Sequence, residues 1–196
     1  MAGEFSIDLD GIKALEKGLR SIPNKIPNVT SMAINSSLRK MYNAALKTIV
    51  KVYYVEERIV KRGLTMVYAN PTKTVGALVG TGKHLYLGRF RYTPTRPGIR
   101  QAVNVQLGPG KTEQVNPSAF VAVMNKQGQG YQSIYLRKGK KRFPVEQLRS
   151  GVGIAEMLAD PVVRAEVERV GNTEFVAKFK ERTAVEMAKA FGGMPK

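Results

Sequence analysis

The chain has 196 residues, of which 43% are apolar, and a formal net charge of +17, which favours one compact domain with helical extensions over wholesale disorder. It contains no cysteine, which excludes disulfides, thiolate catalysis and Cys-ligated zinc or iron–sulfur centres and fits a reducing compartment. No apolar run approaches the roughly 18 residues needed to span a bilayer, and Met1 to Asp10 lacks the apolar core of a secretory signal.

In chain order, Ile12, Leu15, Leu19 and Ile22 recur at three- and four-residue steps and predict a helix from about Asp8 to Ser21, stopped by Pro23. Asp8 and Asp10 suit its positive end. A second, long helix is predicted over 28–51, with the stripe Ile34, Leu38, Met41, Ala45, Ile49 and Val52. Small residues among them (Ala33, Ser36, Ser37, Ala44) would let another helix approach closely. That helix reads either as half of an ordinary packed pair or as an arm against a neighbouring subunit. Glu56 to Arg62 reads as a short helix, acids first and bases last, ended by Gly63.

Beyond Gly63 the period changes to two. Strands are predicted over Leu64 to Ala69, Thr74 to Val79, Gln101 to Leu107, Ser118 to Met124 and Ser133 to Leu136. Val103, Val105 and Leu107 alternate with Asn104 and Gln106, as on a half-buried strand. Phe120 to Met124 is apolar on both faces and reads as a central strand. Asn70-Pro71, Gly80-Thr81-Gly82, Gly108-Pro109-Gly110 and Gly128-Gln129-Gly130 supply turns. Tyr92 to Gly98, with Pro94 and Pro97, reads as a loop or a long extended arm. Pro144 fits the first turn of a short helix reaching Leu148. Asp160-Pro161 signals the start of a C-terminal helical region with the stripe Val163, Val167 and Val170. Gly171 is a point where that helix could break, with Phe175, Phe179 and Thr183 continuing the spacing. Helices, then strands, then helices predict an α+β fold with an antiparallel sheet flanked by a long N-terminal helix and C-terminal helices. The predicted division is an N-terminal arm over 1–26, a core over 27–160 and a C-terminal helical extension over 161–196.

Residues 58 to 145 hold sixteen Lys or Arg against the single acid Glu113, whereas the flanks are nearly neutral. Such a block repels itself unless nucleic acid, an acidic protein surface or an anionic membrane sits against it. The membrane is disfavoured, because the charge lies on strand-rich sequence and not on a basic amphipathic helix. Within the block, Arg89, Arg91, Arg96 and Arg100 form one candidate contact segment. Arg137, Lys138, Lys140, Lys141 and Arg142 form a second. Tyr86, Phe90 and Tyr92, and Tyr131 and Tyr135, could stack on bases beside these arginines. The competing arrangement turns the aromatics into the core and leaves the arginines in water.

Catalytic equipment is sparse, and no enzyme activity, cofactor or metal is expected. His84 stands alone among bases and reads as structural or solvent-exposed. The acids of the flanking helices are scattered at helix-surface spacing and read as solvated faces. Gly80-Thr81-Gly82-Lys83 is no phosphate loop. Ala77 stands where the first glycine is needed, and His84 stands where Ser or Thr should follow the lysine.

The stretch Asn116-Pro117-Ser118-Ala119-Phe120, then Met124, Gly130-Tyr131, Arg137-Lys138-Gly139-Lys140-Lys141-Arg142, Pro144-Val145 and Leu148 resembles the minor tail protein Z family of tailed bacteriophages. Met32-Ala33-Ile34-Asn35 is similar to the start of that family's N-terminal helix, and Leu85 to Phe90 to its apolar strand ending in Phe. The order of these pieces, over roughly 30–160, carries the resemblance. Arg149-Ser150-Gly151-Val152 departs from the family's tendency to Gly-Pro-Ser-Val at this point. The resemblance implies a structural virion protein that completes the head-proximal end of the tail and helps join it to the head. Its implied partners are further copies of itself in a ring, tail terminator, head-completion or connector proteins, and genomic DNA in the channel. Composition alone supports a different class, a free basic α+β nucleic-acid-binding protein.

Overall fold

The computed structural model describes residues 25–99, 101–126 and 129–190. The helix expected from Asp8 to Ser21 lies outside the described residues. The chain is α+β, and among the described residues all strand pairing is antiparallel.

Two long helices, α1 (Ile26–Val52) and α4 (Pro161–Ala190), form an antiparallel pair. The expected stripe of α1 is the buried one: Ile34, Leu38, Met41, Ala45 and Ile49 all face the core. Val163, Val167, Phe175 and Phe179 of α4 join the same apolar cluster. Ser37 Oγ donates to the Gly171 carbonyl at 2.7 Å, and Ser36 Oγ donates to Glu174 at 3.1 Å. At the other end of α1, Tyr53 Oη donates to Asp160 at 2.9 Å. The alternative of an arm reaching for a neighbour is therefore not how the α1 stripe is used. Over 161–190 the predicted C-terminal extension is part of the core.

Gly171 does not break α4. A Cβ there would sit 2.7 Å from Met41 Sδ, so glycine is what lets the two helix backbones approach.

Between the helices the described residues make α2 (Glu57–Gly63), ten short strands, and α3 (Ile154–Ala159). The one expected sheet is divided into four small ones. β1 (Leu64–Val67) pairs with β2 (Ala77–Gly80), and β3 (His84–Tyr86) pairs with β10 (Arg149–Gly153). β4 (Arg91–Thr93), β5 (Asn104–Gly108) and β6 (Lys111–Glu113) form a third sheet. β7 (Phe120–Lys126), β8 (Gln129–Arg137) and β9 (Val145–Gln147) form the fourth. Leu78, Val105 and Ile134, one from each of three sheets, are wholly buried in the cluster that includes the helices.

Val103, Val105 and Leu107 are buried while Asn104 and Gln106 are exposed, as their alternation predicts. Three expectations need correction. The segment 145–148 is not a helix. Val145 to Gln147 pairs with β8 along Tyr135↔Gln147 to Arg137↔Val145, because the open edge of β8 offers ladder hydrogen bonds that a four-residue helix cannot match. β7 is not central: it pairs with β8 alone and leaves Val123 51% exposed. Arg91 to Thr93, at the start of the expected loop, is a strand on β5.

Candidate functional site

The predicted contact residues fall into separate places. Arg137, Lys138 and Lys140 come together at the end of β8, beside Ser118 and Phe120, around a shallow groove of about 560 Å³. Arg137 lies 5.3 Å from the centre of the Phe120 ring. Lys138 pairs with Glu146 at 3.3 Å, and its amide donates to the Pro144 carbonyl at 3.1 Å, which closes the loop that carries Lys140, Lys141 and Arg142. Those three side chains are exposed. Arg142 lies 5.7 Å from the ring of Phe143, itself exposed.

Arg89 and Arg91 do not join that group. Arg91, on β4, lies 3.9 Å over the Tyr54 ring and lines a groove with Asn104 and Gln106. Arg96 is exposed in the following loop. Gln132 ties that loop to β8 by donating to Tyr92 Oη at 3.0 Å and to the Thr95 carbonyl. Arg100 lies outside the described residues.

Arg89 faces a different cleft, of about 340 Å³, and there it meets cations that sequence reasoning did not group with it. The short helical turn Leu87–Arg89 places its guanidinium 4.7 Å over the Tyr131 ring. Arg62 arrives from the last turn of α2, Lys83 and His84 from the turn into β3, and Arg149 from the start of β10. Backbone bonds fix this convergence. Thr81 N–H donates to the Gly63 carbonyl at 2.8 Å, and Ala155 N–H donates to the Thr81 carbonyl at 3.1 Å. These tie the Gly80-Thr81-Gly82 turn to the end of α2 and the start of α3. The pairing of Arg149 with Tyr86 brings β10 alongside.

Arg149 is held in place. It donates to the His84 carbonyl and to Tyr86 Oη, each at 3.0 Å, and its guanidinium lies 4.4 Å over the Tyr86 ring. Ile59, Leu85 and Ile154 give the cleft an apolar lining. Two carboxylates lie nearby, and both are engaged. Glu156 accepts from the Gly153 amide at 2.9 Å and stands 3.8 Å from His84 Nε2. Glu56 accepts from Arg58; that bond, reinforced by the Arg58 and Arg89 charges, holds its carboxyl below the ordinary range. Burial pushes the Tyr131 phenol up, against the pull of the Arg89 charge.

A second polar cluster joins the ends of the helices to β6. Asp160 accepts from Tyr53 and Lys111 with one carboxylate oxygen. With the other it caps α4, accepting from the Val162 amide at 3.1 Å. Burial alone would raise its pKa, but the bonds from Lys111, Tyr53 and Val162 and the Lys111 charge outweigh that and hold it below the usual carboxylate value. Lys111 also lies 4.1 Å over the Tyr53 ring. This cluster fastens elements together and opens onto no cleft among those described.

Among the described residues no three His, Asp or Glu side chains gather as a metal cage requires, and no helix is long and apolar enough to cross a membrane. In comparisons with protein-family models, curated proteins and solved structures, nothing matches the chain.

Arg62, Lys83 and Arg149 escaped sequence reasoning because they are far apart in the chain and meet only through strand pairing. A local signal existed: Lys83 stands just before β3 and Arg149 opens β10.

Proposed function

We propose that this chain is a structural protein of a tailed-bacteriophage virion, which completes the head-proximal end of the tail and helps join tail to head. The observation that supports the reading is where the residues of the resemblance fall. From Asn116 to Leu148 they make up one three-stranded antiparallel sheet, β7–β8–β9, and the loop into its edge strand. That loop presents Lys140, Lys141 and Arg142 to solvent, with Arg137 and Lys138 at its base. A projecting basic loop on a braced sheet suits contact with DNA in a channel or with an acidic ring of partner subunits. Copies of the chain close into a ring, since closed rotational symmetry avoids open-ended growth. The stripes of α1 and α4 are occupied by each other, so contacts between copies fall to other surfaces. Met32, Val67, Tyr68 and Val75 are large apolar side chains left exposed. They lie near one another, because Asn35, one turn after Met32, holds the Ala69 backbone by two hydrogen bonds of 2.8 and 2.9 Å.

Antibody-labelled electron microscopy of particles made by the cell encoding this chain tests the reading. Label at the head–tail junction supports it. Intact particles without label, with the protein recovered on cellular nucleic acid, would overturn it. A second test replaces Arg137, Lys138, Lys140, Lys141 and Arg142 by Gln. The expected result is a folded protein and particles impaired in joining; full infectivity removes the loop from the mechanism. The alternative, a free nucleic-acid-binding protein, is favoured by one observation, the cationic cleft around Arg89.

A further inference from the structure

We propose that the cleft between α2, β3 and β10 is a binding site for phosphate groups, and that its ligand is the backbone of a nucleic-acid strand. The inference stands on the geometry of the cleft and needs no virion.

Three chain segments bring Arg62, Lys83, Arg89 and Arg149 to one cleft, with His84 beside them. No carboxylate is paired with any of the four among the described residues. Like charges gathered in one cleft repel one another, although exposure to water and salt screens them. An anion bound among them relieves that repulsion.

The donors are also set for an acceptor. Two N–H groups of Arg149 are taken by the His84 carbonyl and the Tyr86 hydroxyl. Those bonds and the Tyr86 ring fix the guanidinium plane, leaving its other N–H groups for a ligand. Arg89 lies over the Tyr131 ring, and Arg91, in a separate groove, over that of Tyr54. A guanidinium lying on a ring presents its donor edge outward, the geometry that grips two phosphate oxygens at once. Holding it there in advance lowers the entropy lost on binding. Two Arg–Tyr contacts and two further cations lining one cleft match a ligand with repeated phosphates better than a single small anion. The neighbouring tyrosines are already covered by arginine on one face, so the site grips backbone and carries no sign of base readout.

The test uses the full chain and a labelled 20-base-pair DNA duplex of mixed sequence, with binding followed by fluorescence anisotropy across a salt series. The variant Arg62→Glu/Lys83→Glu changes two exposed residues of the cleft. The control Lys180→Glu/Arg182→Glu makes the same charge change at two exposed residues of α4 that do not line the cleft. The expected result is binding weakened at least about tenfold by the cleft pair and by no more than about twofold by the control. The slope of log affinity against log salt should fall by about two for the cleft pair alone. If Arg62→Glu/Lys83→Glu does not fold, judged by circular dichroism, Arg62→Gln/Lys83→Gln answers the same question with a smaller shift. Titration calorimetry with inorganic pyrophosphate separates the two sources of phosphate. Pyrophosphate binding lost in the cleft variant, with duplex binding unchanged, keeps the phosphate site and assigns it a free ligand. Equal weakening of duplex binding by cleft and control variants, or binding of poly-glutamate but of neither phosphate ligand, overturns the proposal.

Discussion

Asp160 shows how one side chain serves several elements. The sequence signal Asp160-Pro161 predicts a cap, and the Val162 amide receives it. That the same carboxylate also gathers Tyr53 and Lys111 could not be read from local sequence, since those partners lie 107 and 49 residues away. Asp160→Ala should destabilise the chain by about 2–3 kcal/mol, through loss of the cap and of a charge-assisted pair. Asp160→Asn keeps a capping oxygen and should cost about 1 kcal/mol. The carboxyl is held below its ordinary value, so it is the folded state that favours the charged form. Its stabilising contribution is therefore present above the unfolded carboxylate value and is lost as pH falls through the folded one. Urea unfolding at pH 7 and at pH 3 should show a smaller acid loss in Asp160→Asn than in the parent. Equal loss in both would remove Asp160 from the acid response.

At the scale of elements, the apolar stripes of both long helices are legible because burial imposes a 3.6-residue period on them. The role of Gly171 is not, because a glycine inside a helix reads the same whether it ends the helix or admits a neighbour. On an exposed helix Gly→Ala would stabilise by about 1 kcal/mol. Here a Cβ meets both Sδ and Cγ of Met41, at 2.7 and 2.9 Å. Gly171→Val should therefore destabilise the chain by about 1–3 kcal/mol. Met41→Ala made together with it should recover part of that, so that the double variant loses less than the two single losses added. Strict additivity in denaturant unfolding would mean that Met41 is not what Gly171 makes room for. The short strands follow the same logic. Val145 to Leu148 is too brief to display a period, and only the edge of β8 decides its conformation.

For the whole molecule, the division of charge seen in the sequence has a structural form. Along α4, Arg164 with Glu168, Arg169 with Glu166, Lys178 with Glu181 and Lys189 with Glu186 form pairs three or four residues apart, so this flank neutralises itself. In the strand-rich block several arginines instead lie on aromatic rings, Arg89 on Tyr131, Arg91 on Tyr54 and Arg137 on Phe120, and just beyond it Arg149 lies on Tyr86. The sequence offered stacking platforms for bases or core aromatics beneath solvated arginines. The structure takes neither course fully, because a ring face attracts a guanidinium and orients it. What the sequence could not convey is that the block divides into a loop, a groove and a cleft, since that depends on which strands pair.

This arrangement makes the virion reading and its alternative separable by salt. Copies of so basic a chain repel one another at low ionic strength. Raising salt from 0.1 to 1 M shortens the screening length from about 10 to about 3 Å, which weakens that repulsion but leaves apolar contacts intact. Self-association through the exposed apolar side chains should therefore hold or strengthen as salt rises. Duplex binding should fall by orders of magnitude, because each neutralised phosphate releases counterions. Sedimentation velocity of the purified chain over this range, beside the anisotropy series, should show a salt-resistant oligomer. A chain that stays monomeric at every salt concentration, alone and with phage neck proteins, and yet binds DNA tightly at 0.1 M would favour the free nucleic-acid-binding protein over the ring.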